Sequence, residues 1–130
     1  MDKTHPLIAF VDDEEPIRKA LTRLMRSVGL DAETFDSGAA FLKSIETRLP
    51  DCVVLDLHMP QMDGFAVQAR LAKLRAAVPV IIITGHDSPK DRERAMAGGA
   101  SAYLRKPVND RALLDAISAA VTRTNGTNEH

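Results

Sequence analysis

Short apolar runs alternate along this chain with longer polar stretches whose apolar residues recur at helical spacing, a rhythm that predicts successive β-strand and α-helix units. The first run, Leu7-Ile8-Ala9-Phe10-Val11, is apolar at every position, as expected for a strand covered on both faces in a parallel sheet. After Asp12-Asp13 a helix is expected. Glu14 and Glu15 stand near its positive end, Pro16 suits its first turn, and Gly29 is its natural stop. Ile17, Leu21, Leu24, Met25 and Val28 form its apolar stripe. Next come a short strand at Ala32 to Phe35 and a helix from Gly38 to Glu46, capped by Ser37, with Phe41, Leu42 and Ile45 facing inward.

The third run, Cys52-Val53-Val54-Leu55, ends in Asp56 and the turn-rich segment Met59 to Gly64, after which Phe65 to Leu74 reads as a helix. A fourth strand, Val80 to Ile83, stops at Thr84-Gly85. Pro89 to Ala97 is a polar helix with Ala95 and Met96 as its main inward anchors, ended by Gly98-Gly99. Ala102-Tyr103-Leu104 predicts a fifth strand; the last helix is capped by Asn109 and carries Leu113, Leu114, Ile117 and Val121. Residues 1–121 are expected to form the folded unit and 122–130 a flexible tail. Five such units joined by short connections imply a doubly wound α/β fold, in which ligand sites lie at the carboxyl ends of the strands.

Composition narrows the class. A chain of 130 residues fits one domain with a single core. Its 45% hydrophobic and 27% charged residues are those of a globular protein. Lys and Arg number 17 against 18 Asp and Glu, for a net charge of −1, so no direct nucleic-acid binding by this chain is expected. The longest strongly apolar stretch, Val78 to Ile83, is broken by Pro79 and falls far below the roughly 20 residues of a membrane span. With no apolar leader before Asp12, the chain reads as cytoplasmic. The lone Cys52 reads as a buried small hydrophobe rather than a reactive thiol.

The polar residues that close the apolar runs are Asp12 and Asp13, Asp56, Thr84 and, just past the fifth run, Lys106. Singly, each has an ordinary explanation as a turn, strand or surface residue. Jointly they converge on one edge of the sheet. Three carboxylates gathered there repel one another and call for a cation; all-oxygen donors favour Mg²⁺ or Mn²⁺. Lys106 adds a point charge for a phosphate and Thr84 a hydroxyl donor, a combination suited to phosphoryl transfer.

These residues also match a family. Val11-Asp12-Asp13, Asp56 with Met59-Pro60 and Met62-Asp63-Gly64, Thr84-Gly85 and Lys106-Pro107 resemble, in letters, order and interval, the receiver domain of two-component response regulators. The resemblance covers nearly the whole chain. It implies a flavodoxin-like five-stranded parallel sheet of order 2-1-3-4-5 with five helices, and a cis Lys106-Pro107 peptide. It makes Asp56 the nucleophile that forms an aspartyl phosphate, and Asp12 and Asp13 the acidic pair for Mg²⁺, with Asp56 and the backbone carbonyl of His58 completing the metal set. Thr84 and Lys106 would contact the phosphoryl oxygens.

The same resemblance implies that the phosphoryl group comes from a histidine kinase or a histidine phosphotransfer protein. Such a domain catalyses its own phosphorylation and dephosphorylation rather than turning over a separate substrate. Thr84 and Tyr103 would form the switch, and the face of the fourth helix, fifth strand and fifth helix would meet a downstream protein or form a phosphorylation-dependent dimer. His58 and His86, each two residues beyond a motif residue, are candidates for tuning the phosphate lifetime. The chain departs from the common pattern at Gly98-Gly99-Ala100, where alanine-glycine-alanine is usual, at Ser101-Ala102 and at Val108; none of these touches the reaction centre. The chain could be the amino-terminal receiver of a DNA-binding regulator. A haloacid-dehalogenase type phosphatase would need a second Asp two residues after the nucleophile, where His58 stands.

Overall fold

Each apolar run becomes a strand because helices cover both faces of the sheet. The computed structural model describes residues 5–74 and 77–128, and for residues 123–128 the backbone alone. The chain runs β1 (Leu7–Val11), α1 (Glu15–Ser27), β2 (Asp31–Phe35), α2 (Gly38–Ser44) and β3 (Cys52–Asp56). It continues through α3 (Gly64–Lys73), β4 (Val80–Thr84), α4 (Pro89–Ala97), β5 (Ala102–Arg105) and α5 (Asp110–Asn128). All strand pairs are parallel, in the order β2-β1-β3-β4-β5, as the family resemblance implied. The three central strands are buried at every residue; the edge strands β2 and β5 are only half-buried.

The two-residue period of a strand divides the core into two layers. Ile8 and Phe10 of β1 pack with Leu21 and Met25 of α1 and with Leu113 and Ile117 of α5. Ala9 and Val11 point the other way, to Phe41 of α2 and Val67 and Leu71 of α3. Both layers are held by fully buried side chains, Phe10 and Phe41 being the largest.

Helix ends follow their sequence signals. Ser37 Oγ accepts a hydrogen bond from the Ala40 N–H at 3.1 Å, and Asn109 Oδ1 one from the Ala112 N–H at 2.9 Å. Asp63 and Ser88 cap α3 and α4 in the same way. Gly29 takes φ +78° beyond α1, and the Leu30 N–H reaches back to the Met25 carbonyl at 3.0 Å.

Four details differ from the sequence reading. Val28 is 46% exposed, because α1 ends at Ser27 and the stripe loses its helical direction there. Helix α2 ends at Ser44 rather than Glu46, its last turn tightening as Glu46 N–H bonds to the Lys43 carbonyl. Helix α5 runs on to Asn128, past Val121, since no proline stops a ladder that gains one bond per added residue. Residues 129 and 130 of the expected tail lie outside the described residues.

The fourth difference concerns α4. Met96 is 44% exposed and Ala95 is the helix's only buried residue, so polar groups do much of the docking. The buried Gln68 of α3 donates from Nε2 to the Ala95 carbonyl at 3.0 Å. The Arg94 guanidinium lies 3.9 Å from the Phe65 ring centre, and that of Arg92 lies 5.4 Å from Tyr103. The glycine at position 98 has its reason here: a Cβ there would stand 3.1 Å from both Nε2 and Oε1 of Gln68. Gly98→Ala should therefore destabilise the fold by about 1 kcal/mol in urea unfolding, the low end for overpacking. In a Gln68→Ala background the same change should be neutral or stabilising; equal effects in both backgrounds would show that the two positions are independent.

Candidate functional site

Parallel register brings the run-ending residues onto one edge of the sheet. Val11 pairs with Leu55, Asp56 with Ile83, and Thr84 with Arg105, so Asp12, Asp56, Thr84 and Lys106 lie at or just past the carboxyl ends of adjacent strands. Asp12, Asp56 and Thr84 are buried, and Asp13 is exposed. Asp12, Asp13 and Asp56 each offer a carboxylate oxygen within 4.8 Å of the others. The Lys106 ammonium reaches in from beyond β5, 3.0 Å from Asp12 Oδ2 and 3.5 Å from Asp56 Oδ2. Asp12 Oδ1 accepts from the Glu14 N–H at 2.9 Å, and Asp56 Oδ1 from the His58 N–H at 3.4 Å.

The loop after Asp56 is pressed against its own strand. A Cβ at Gly64 would stand 2.8 Å from the Asp56 carbonyl oxygen and 2.9 Å from Leu57 Cα, so only glycine fits. That approach lets the Gly64 N–H donate to the Leu57 carbonyl at 2.9 Å as α3 begins. Gln61, at φ +72°, makes the sharp reversal that the return requires.

Burial and the neighbouring Asp12 push the Asp56 carboxyl up to about 6; Lys106 and the His58 N–H pull in the other direction without cancelling them. Burial works against the Lys106 ammonium, but Asp12, Glu14 and Asp56 outweigh it and raise its pKa. One lysine thus faces more negative charge than it can neutralise. Asp12 Oδ2 is buried and, apart from its ion pair with Lys106, makes no hydrogen bond. A carboxylate oxygen left in that state, in an all-oxygen cluster, fits a hard divalent cation, with Asp12, Asp13 and Asp56 as the residues to hold it.

The family model described as the response regulator receiver domain matches residues 8–118. This chain belongs to the response regulator receiver family. A receiver accepts a phosphoryl group in two-component signalling and binds Mg²⁺ at an acidic pocket; receivers partner with histidine kinases and output domains. The chain is 41% identical over 120 residues to nodulation protein W of Bradyrhizobium diazoefficiens, covering 92% of this chain and 53% of that protein. To response regulator protein TmoT of Ectopseudomonas mendocina it is 36% identical over 121 residues, covering 93% and 55%. The chain thus spans about half the length of these curated relatives. A solved receiver protein from Burkholderia phymatum is 46% identical, with a TM-score of 0.81 over 90% of this chain and 95% of that one.

Around the receiver's acidic cluster the other predicted residues fall as follows. Thr84 Oγ1 is turned locally, accepting from the His86 N–H at 3.0 Å and donating to the His86 carbonyl at 3.3 Å. The His58 and His86 rings meet edge to face with centroids 5.7 Å apart. Tyr103 is buried on β5, and its hydroxyl makes no hydrogen bond. Cys52 is buried, and burial pushes its thiol up to about 12, as befits an inert core residue. No helix among the described residues is long and apolar enough to cross a membrane.

Three residues of the site's surroundings escaped the sequence reading. Glu14, read only as a helix-end acid, reaches Lys106; Asp91 of α4 lies 3.3 Å from His58 Nε2; and Gly64, read as a turn and motif residue, lies against the Asp56 backbone, a contact that reading did not give. Glu14 and Asp91 touch partners distant in sequence, which no local pattern announces.

The raised carboxyl gives a signed prediction. Asp56 binds its proton more tightly in the folded chain, at about 6 against an ordinary 3.8, so its contribution to stability is fullest below pH 4 and is lost as pH rises through 6. In the absence of divalent ions, Asp56→Asn should therefore be more stable than wild type at pH 7.5, by about 1–3 kcal/mol in urea unfolding. That advantage should vanish toward pH 4, and a pH-independent difference would contradict the electrostatic cause.

Proposed function

We propose that Asp56 is the phosphoacceptor of this receiver, taking a phosphoryl group from a phosphohistidine of a histidine kinase or histidine phosphotransfer protein. The observation that carries this is a buried carboxylate with Lys106 at 3.5 Å and the acidic pair Asp12 and Asp13 within 4.8 Å, at the carboxyl edge of the sheet. In the transfer an Asp56 carboxylate oxygen forms the P–O bond as the P–N bond to the donor imidazole breaks, and the electron pair leaves with the imidazole. Although raised, a pKa near 6 leaves the carboxyl mostly ionised at neutral pH and so able to attack. Asp12, Asp13, Asp56 and the backbone carbonyl of His58 are assigned to Mg²⁺, for which Mn²⁺ can substitute. When bound, the cation neutralises phosphoryl oxygens and eases the approach of a carboxylate to a phosphorylated donor.

Lys106 and Thr84 are assigned to the phosphoryl oxygens. Thr84 would exchange its bonds with His86 for one to the phosphoryl group, and Tyr103, buried on β5, would follow. The α4-β5-α5 face is assigned as the output surface for a downstream protein or for a phosphorylation-dependent dimer. In support, α4 has a single buried apolar anchor. His58 and His86 are assigned to tuning the phosphate lifetime, supported by the contact of their rings, one two residues beyond Asp56 and the other two beyond Thr84. The receiver unit is taken as residues 1–121, consistent with a family match that ends at 118, and its place of action as the cytoplasm.

Incubation with acetyl phosphate and Mg²⁺, followed by intact mass, should show one added phosphoryl group on wild type and none on Asp56→Asn. Chelation of the metal should suppress the gain, and an unmodified wild type would sink the assignment. For the lifetime assignment, the His58→Ala, His86→Ala double variant should change the dephosphorylation rate at least severalfold; an unchanged rate would refute it.

A further inference from the structure

Three carboxylates face the three N–H donors of the Lys106 ammonium: Asp12 at 3.0 Å, Glu14 at 3.1 Å and Asp56 at 3.5 Å. Two of them belong to the acidic cluster; Glu14 does not. Glu14 occupies the N-cap position of α1, where a side chain ordinarily accepts hydrogen bonds from the first turn, yet it makes no such bond. Its carboxylate reaches instead across 92 residues of sequence to accept a hydrogen bond from Lys106. The side chain is 56% exposed, so it is well solvated and free to leave. Asp12 is buried, and its other oxygen is bonded to the Glu14 N–H, so it cannot easily leave.

Resting on the reading of Asp56 as phosphoacceptor, the geometry points to Glu14 as a positioning residue that competes with the phosphoryl group for Lys106. Phosphoryl oxygens at Asp56 need an N–H of Lys106, and of its three present partners Glu14 is the one that can give way. While bonded, Glu14 occupies one N–H of the ammonium, which lies 3.1 Å from Glu14 and 3.5 Å from Asp56. Once released, its carboxylate stands near a group of the same sign. Both effects disfavour the phosphorylated form, so Glu14 biases the domain toward its resting state and shortens the reach of a weak donor. The glutamate acts through Lys106 and forms no bond to the reacting atoms.

The test uses beryllofluoride, a phosphoryl mimic, with Mg²⁺ on the wild-type chain and on Glu14→Gln, a substitution at an exposed position. Glu14→Gln should bind beryllofluoride about two- to fivefold more tightly, the scale of an exposed ion pair, and the gain should shrink as salt is raised. Mg²⁺ alone should bind both proteins alike. Equal or weaker beryllofluoride binding by the variant would overturn the inference. So would a loss of Mg²⁺ affinity, which would make Glu14 part of the cation's surroundings. If wild type takes up no phosphoryl group from acetyl phosphate, the phosphoacceptor reading itself fails; a wild type that is phosphorylated, with a variant that binds beryllofluoride no better, removes only the role of Glu14.

Discussion

The gathering of like charge at one edge of an otherwise apolar sheet is the constraint on which this structure turns. Unit charges 4.8 Å apart, at an effective dielectric of about 20, repel by roughly 3–4 kcal/mol, and one lysine must offset several such terms. A domain of this size has a net stability of only about 5–15 kcal/mol, so the cluster is a substantial local burden. It is tolerated because the two core layers lie elsewhere: strands buried on both faces carry the fold, and the charges sit just beyond their ends. Stability and chemistry are thus assigned to different parts of the same strands. A divalent cation or a phosphoryl group arriving at this edge finds charge already assembled and unbalanced.

The effect of such an arrival can travel by a short route. Thr84 and His86 share two hydrogen bonds, His86 meets His58, and His58 meets Asp91 of α4. Helix α4 is joined to its neighbours largely by polar and cation–π contacts to α3 and β5. Such contacts depend on direction and can be exchanged for water, whereas an apolar anchor is lost only at the full cost of exposure. Helix α4, beside this edge, is for that reason held by little apolar burial.

Much of this was legible in the sequence because its determinants are local. Five apolar runs, the caps at Ser37 and Asn109 and the stop at Gly29 depend on near neighbours and appear as expected. The strand-ending residues Asp12, Asp56, Thr84 and Lys106 were readable as a set because parallel strands deliver their ends to one edge whatever the side chains between them. Strand order came from family resemblance, since periodicity says which face is buried but not which strand is next. What escaped was pairwise and distant: Glu14 with Lys106, Asp91 with His58, Gln68 with Gly98. Met96 misled for a related reason. Its apolar side chain suggested burial, while a glutamine on α3 had already claimed the contact with α4.

Gly64 carries a different kind of consequence. Because its missing side chain lets the start of α3 rest on the backbone of Asp56 and Leu57, β3 and the helix that follows it share one piece of rigid scaffolding. A side chain that projects from the loop between them, such as that of His58, can change without moving the backbone that carries the Asp56 carboxylate. The contact fixes the backbone on which Asp56 stands while leaving the outward side chains of the loop unconstrained, and it does so with the smallest residue available.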